Sequence, residues 1–164
     1  MKVFVCIFTH KIKGSVYFIQ ESADAPVLIR GILSSNCIRE RSHKAIHIHE
    51  FGDLSLGCRT CGDHWNTTSY PHGGLHDHRS HSGDLGNILF SSKGISKIHM
   101  ETNKLTLYGK HSILGRSLII HEGKDDLGRR NTYESRTTGT SGKRMDCGVI
   151  GIAHTNILQH YTNL

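Results

Sequence analysis

Ala45-Ile46-His47-Ile48-His49-Glu50-Phe51-Gly52-Asp53 is the stretch on which the reading turns. Apolar and imidazole side chains alternate along it, and in an extended strand successive side chains point to opposite faces. Ile46 and Ile48 therefore face a core. His47 and His49 face the other way, side by side, where two imidazoles can chelate a metal ion. Two solvated histidines on a half-exposed strand would give the same pattern, and His-x-His recurs by chance. This pair does not stand alone, because His64, His72, His81, Asp84 and His121 follow it. Fourteen histidines in 164 residues is a large excess.

Outward from this strand the chain reads as short strands. Residues 2–8, 15–20, 27–33, 44–51, 87–91, 95–100, 105–108, 117–122 and 148–153 carry the pattern. Turn signals separate them, among them Lys13-Gly14, Ser92-Lys93-Gly94, Thr102-Asn103 and Tyr108-Gly109. No apolar pattern of helical period lasts three turns. The prediction is an all-β sandwich or Greek-key barrel. Two sections, 52–86 and 123–143, are too long and too polar for hairpin turns. Loops of that length in a compact domain are usually functional or disordered, and the histidines and cysteines of the first argue for function.

Composition narrows the setting. The length fits one domain over 1–154, followed by a polar C-terminal extension over 155–164. No run of about 18 apolar residues offers a membrane span. The apolar run that ends at Phe8 stops at Thr9-His10-Lys11, short of a signal segment, so a first strand and a cytoplasmic, soluble protein are expected. The formal charge is +6 and the pI about 9.2. The basic residues are scattered and not interleaved with aromatics, so no nucleic-acid partner is expected. Such a surface would attract a small anion. Cys58-x-x-Cys61 has no second pair, which excludes a zinc site built from two such pairs, and five cysteines leave at least one free thiol.

His47, His49, His64 and His121 form one candidate ligand set, and His72, His81 and Asp84 lie close together in the chain. Imidazole suits zinc and copper. One carboxylate among imidazoles fits a tetrahedral zinc site, and three or four imidazoles in a flattened array fit Cu(II).

With these residues in place, the chain resembles the copper–zinc superoxide dismutase family, eukaryotic intracellular type, up to about Ala153. The likeness rests on His47-Ile48-His49-Glu50-Phe51-Gly52-Asp53, Gly57-Cys58, Gly62-Asp63-His64-Trp65-Asn66, His72-Gly73-Gly74 and His81-Ser82-Gly83-Asp84-Leu85-Gly86-Asn87. It continues through Gly115-Arg116-Ser117-Leu118-Ile119-Ile120-His121-Glu122, Asp125-Asp126-Leu127-Gly128 and Arg144-Met145-Asp146-Cys147-Gly148-Val149-Ile150-Gly151-Ile152-Ala153. The resemblance implies an eight-stranded Greek-key barrel of immunoglobulin-like architecture with two long functional loops. It implies dismutation of superoxide to dioxygen and hydrogen peroxide, with one copper and one zinc ion per chain.

By the same resemblance His47, His49, His64 and His121 bind copper, and His64, His72, His81 and Asp84 bind zinc, with His64 bridging. Asp125 holds the distal nitrogens of His47 and His72. His64 and His121 serve catalysis with Arg144, which docks the anion, while Thr138 and Gly139 form the facing channel wall. Cys58 and Cys147 form a disulfide, and Cys6 and Cys37 stay buried or free. A homodimer is implied through Phe51-Gly52-Asp53, Leu114-Gly115 and Gly148-Val149-Ile150-Gly151-Ile152, with a copper chaperone as a further partner.

The chain also departs from the family. Where the second loop usually carries two glutamates and a lysine, this one reads Thr132-Tyr133-Glu134-Ser135-Arg136-Thr137. His76 and His78 add imidazoles beside the zinc set, and Cys61 offers Cys58 a competing partner. Over 34–44 the family's glycine-rich turn and apolar plug are replaced, so looser barrel closure is expected there. The rival to an active enzyme is a catalytically weak metal-binding or copper-handling homologue that kept the fold. A basic nucleic-acid-binding barrel ranks last.

Overall fold

The computed structural model describes residues 1–155; most of the predicted extension lies outside them. Among the described residues nine strands and one short helix occur in this order: β1 (Lys2–Thr9), β2 (Lys13–Gln20), β3 (Val27–Ser34), β4 (Ser42–His49), β5 (Ser55–Cys58), β6 (Asp84–Phe90), β7 (Ile95–Thr102), β8 (Ser117–His121), α1 (Tyr133–Thr138) and β9 (Arg144–Ile152). Eight strands make one antiparallel sheet in the order β6-β4-β8-β9-β1-β2-β3-β7. Its edge strands β6 and β7 are joined by a tight turn, in which Ser91 N donates to Ile95 O and Gly94 N to Ser91 O, both at 2.9 Å. The sheet thus curls until its edges meet in a nearly closed Greek-key barrel, filled by side chains such as Phe8, Phe18, Leu33, Ile46, Ile48, Phe90 and Leu118.

Two connections cross the barrel ends, residues 35–41 and 103–116. A chain crossing an end has no strand beside it, and both crossings put apolar side chains into the core. Ile38 does so in the first, and Leu105, Leu107 and Ile113 in the second. The structure here corrects two expectations. Residues 105–108 alternate like a strand but form none: Leu105 and Leu107 plug the barrel, and Gln20 Oε1 accepts from Leu107 N at 2.7 Å in place of a ladder. The 34–44 end is not left open either, because Ile38 is buried in the core. Gly94 packs so closely below it that a Cβ would collide with the carbonyls of Ser35 and Ile38.

The long loops also contain regular structure that the sequence reading left out. β5 lies in the first, against β9. In the second, Thr132 caps α1, its Oγ1 accepting from Ser135 N at 3.2 Å, and Gly139 ends the helix in the left-handed region at φ 68°. Six residues are too few for helical periodicity to show, although cap and stop are both visible in the chain. No helix among the described residues is long and apolar enough to cross a membrane.

Candidate metal centre

β4 and β8 pair through Ile46–Ile120, His47–Ile119, Ile48–Leu118 and His49–Ser117. The alternation read from the sequence holds: Ile46, Ile48, Leu118 and Ile120 enter the core, and His47, His49 and His121 lie on the outer face. That face is nevertheless buried, because the long loops fold over it. The first loop is stitched to β4 at Ile48, whose N donates to Gly83 O at 3.0 Å and whose O accepts from Trp65 N at 2.7 Å. These bonds bring His64 and Asp84 against the two strand histidines. Gly83 must be glycine, since a Cβ there would run into Ile48 O.

One nitrogen of each strand histidine is held by a partner that can only accept. His47 Nε2 donates to Asp125 Oδ2 at 2.7 Å, His49 Nδ1 to Gly62 O at 3.0 Å and His121 Nδ1 to Gly142 O at 3.2 Å. The opposite nitrogen must then carry the lone pair. In the loop, His72 Nε2 donates to Asp125 Oδ1 at 2.8 Å, which fixes its ring in the same way. Asp125 is itself clamped by Asn87, which accepts from Asp125 N at 2.8 Å and donates to its carbonyl at 2.9 Å. Asn87 was read only as part of a motif, and its role became visible with the fold.

The nitrogens left over are His47 Nδ1, His49 Nε2, His64 Nε2, His72 Nδ1, His81 Nδ1 and His121 Nε2, all buried and none with a hydrogen bond. Buried polar atoms in folded proteins are almost always paired. These six form a pattern of donors waiting for a Lewis acid. His47, His49, His64 and His121 bring ligand atoms within 4.8 Å of one another, and so do His47, His64, His72 and Asp84. His47 and His64 belong to both groups, and His81 stands outside them, beside Asp84. Asp84 Oδ1 lies 2.9 Å from His64 Nδ1, 2.9 Å from His72 Nδ1 and 3.4 Å from His81 Nδ1, while its Oδ2 accepts from Gly73 N and His81 N. Four imidazoles on one side, and three with a carboxylate on the other, are donor sets that fit copper and zinc.

Electrostatics agree with that fit at His47, His49, His64 and His121. Burial, with the neighbouring imidazoles, holds His47 and His49 well below the usual imidazole range and His64 below it; His121 is lowered to about 4. All four are neutral at pH 7 and can offer a lone pair. His72 goes the other way, raised to about 9, because the Asp125 and Asp84 carboxylates outweigh its burial. Asp84, although buried, is held well below the carboxylate range by the three imidazoles around it.

A cleft of about 570 Å³ opens over this cluster, lined among others by His49, His64, His121, Tyr133, Thr138 and Arg144. Arg144 is anchored through Nη1 to Cys58 O at 2.6 Å and through Nη2 to Gly62 O at 2.5 Å. Cys58 and Cys147 are joined, their Cα atoms 5.7 Å apart. Cys61 is a buried free thiol packed beside that bond, so it does not displace it here; Cys6 is buried and Cys37 exposed, both free.

Gly139 departs from its expected place. It does not line the cleft but packs behind Asp125 and His72, where a Cβ would strike both, so its smallness serves loop closure. Thr137 and Tyr133 line the cleft in its stead. Arg136 does not replace the missing lysine, because it turns away and donates to Asn131 Oδ1. His76 and His78 stay outside both donor groups, and the His78 ring lies 5.9 Å from Tyr70.

The copper/zinc superoxide dismutase family profile matches residues 12–150. A superoxide dismutase [Cu-Zn] of Cryptococcus neoformans var. grubii is 43% identical over 142 residues, covering 87% of this chain and 91% of its own. Superoxide dismutase [Cu-Zn] 5 of Dictyostelium discoideum is 40% identical over 142 residues, with the same coverage of 87% and 91%. The crystal structure of the clock protein EA4 matches with a TM-score of 0.85 at 35% identity, covering 93% of this chain and 95% of that one. On its profile, its relatives and its paired donor sets, this chain belongs to the copper–zinc superoxide dismutase family.

Proposed function

We propose that this chain converts two superoxide anions and two protons into dioxygen and hydrogen peroxide at a copper ion held beside a zinc ion. The observation that carries the reading is the set of six buried imidazole nitrogens without a hydrogen bond: five of the histidines fall in two donor groups that share His47 and His64, and His81 stands beside Asp84. Copper would be held by His47 Nδ1, His49 Nε2, His64 Nε2 and His121 Nε2. Zinc would be held by His64 Nδ1, His72 Nδ1, His81 Nδ1 and Asp84 Oδ1. Bound copper supplies two accessible oxidation states, which zinc lacks, so that one superoxide can be oxidised and the next reduced.

The protein's own groups do the rest. Arg144, its fork fixed by the carbonyls of Cys58 and Gly62, keeps its remaining N–H groups for a small anion at the cleft floor. Thr138 forms part of the facing wall. His64 holds a proton at Nε2 in one half of the cycle and gives it to the reduced substrate in the other, its ring kept in place through Nδ1. Asp125 ties one ligand of each ion to a single carboxylate, so that the two sites keep a common geometry.

A homodimer fits the surface. Phe51, Leu114, Val149 and Ile152 are exposed apolar side chains, Ile152 at 75%. Gly52 packs against Gly115 and Val149, which joins the three segments in one patch, and Gly151 leaves open backbone at its centre. The buried donor set favours copper delivery by a chaperone protein, and the likeness to the intracellular type supports a cytoplasmic location.

The test is His121→Ala. Dismutation should fall by at least about 100-fold while zinc stays bound, since His121 belongs to one donor group only. Activity retained with copper bound would remove the copper assignment.

A further inference from the structure

Lys104 is a cation in an unexpected place. It lies in the crossing connection, half-buried, between Thr102, whose Oγ1 accepts from Lys104 N at 3.1 Å, and Leu105 in the barrel core. Its backbone is thus fixed to the barrel end, while its side chain reaches out into the first long loop. There Nζ donates to Gly74 O at 2.8 Å and to Ser80 Oγ. Both acceptors are neutral and both residues are buried. Gly74 follows His72 by two residues, and Ser80 immediately precedes His81. A lysine that loses part of its hydration to bond two uncharged loop atoms has a role that no ion pair explains.

We propose that Lys104 is a positioning residue for zinc, its ammonium tying both ends of the 72–81 segment to the barrel and so holding His72 and His81 in place for the ion. The proposal rests on the reading of His72 and His81 as zinc ligands. Asp84 needs no such help, because it opens strand β6 and pairs with His47 on β4. His72 is held from behind by Asp125. His81 has no comparable bond to its far ring nitrogen among those seen here, and its side chain, 13% exposed, depends on where the loop runs. Fixing that loop at Ser80 removes conformational freedom that zinc binding would otherwise have to freeze.

An opposing effect must be weighed. A positive charge near a dication repels it, and Lys104 already lies in the fields of Asp84 and Asp77. The charge is half-exposed and screened by water, whereas the two hydrogen bonds are directional and end on buried loop atoms. The clamp should therefore outweigh the repulsion.

The experiment compares protein loaded with copper and zinc as wild type, Lys104→Met and Lys104→Arg. It follows zinc release to excess chelator, and separately the unfolding midpoint of each metal-free protein. Met keeps the apolar stem and removes the donors; Arg restores donors and charge. Lys104→Met should release zinc about 10-fold faster, Lys104→Arg should recover most of the difference, and the metal-free midpoints should agree. Release from Lys104→Met that is unchanged or slower overturns the clamp, slower release meaning that repulsion dominates. Equal release from Met and Arg, or faster release with a matching loss of metal-free stability, also overturns it. Wild type that fails to hold one zinc per chain would defeat the zinc reading itself, and the proposal with it.

Discussion

The two sides of this barrel obey the same strand chemistry and end in opposite surroundings. On one side, β3 and β7 pair from Val27–Thr102 to Ser34–Ile95 and alternate between buried and exposed positions along their length. Their outer face meets water at Lys97 and His99, and the half-buried Arg30 needs only the carbonyls of Ile29 and Met100. On the other side, every residue of β8 is buried, as are the last five of β4. The core accounts for Ile46, Ile48, Leu118 and Ile120, while Ile119 packs under the first loop against Cys61 and Cys147. Two long loops account for His47, His49, His121 and Ser117. A polar face hidden by loops must find partners for its polar atoms, and half of each imidazole finds them in Asp125, Gly62 and Gly142. The other half is left to metal. What distinguishes a wall from a site is thus the cover over the strand, not the strand itself.

Breaking the cover should have the largest effect. The Cys58–Cys147 bond spans 89 residues and ties the first loop to the last strand. Cys58→Ser, made with Cys61→Ser so that Cys61 cannot take its place, should lower metal-free stability by about 4 to 5 kcal/mol. Denaturant unfolding measures this, and a loss under about 1 kcal/mol would mean that the loop is held by its other contacts. Acid should act on the same side. His121, lowered to about 4, binds no proton in the folded protein near pH 5, whereas the unfolded chain's histidines, near 6.5, do. His47, His49 and His64 are displaced in the same direction. The unfolded state then holds more protons, so metal-free stability should fall as pH drops from about 6.5 toward 4. His72, raised to about 9, has the opposite sign, its contribution present below about 6.5 and lost as pH rises through 9. A thermal midpoint that is flat from pH 7 to 4.5 would show that the imidazoles are less buried than described. On the bare side Ile95→Thr, at an exposed position of β7, should change stability by no more than about 0.5 kcal/mol; a larger loss would mean that this face, too, is covered.

The comparison also explains what could be read in advance. Strands on the bare side are legible because half-exposure writes a period of two into the chain. The Ile46–His47–Ile48–His49 alternation is legible for the same reason, with histidine in the outward slots. The seven metal-ligand positions follow from a family likeness; six of them fall into two buried donor groups, and His81 stands beside Asp84 outside both. Other features depend on contacts between distant segments. Leu105 and Leu107 carry a strand's alternation but have no neighbouring strand. Ile38 looks like a stray apolar residue until the crossing connection places it over the core. Gly139 was assigned to the channel wall, and its packing against Asp125 shows only once the second loop is folded. Lys104 lies 20 residues beyond Asp84 in the chain, and no local pattern links it to the loop that it holds.

The most direct test of the account is superoxide decay after pulse radiolysis, on protein carrying one copper and one zinc per chain, at low and high salt, beside Arg144→Ala. The account predicts fast decay that slows as salt rises. In Arg144→Ala it predicts a rate lower by about 10-fold or more and a weaker salt dependence, since one cation at the cleft floor is gone. Slow decay in fully loaded wild type would contradict it: the loop-covered face would then bind metal without turning over superoxide.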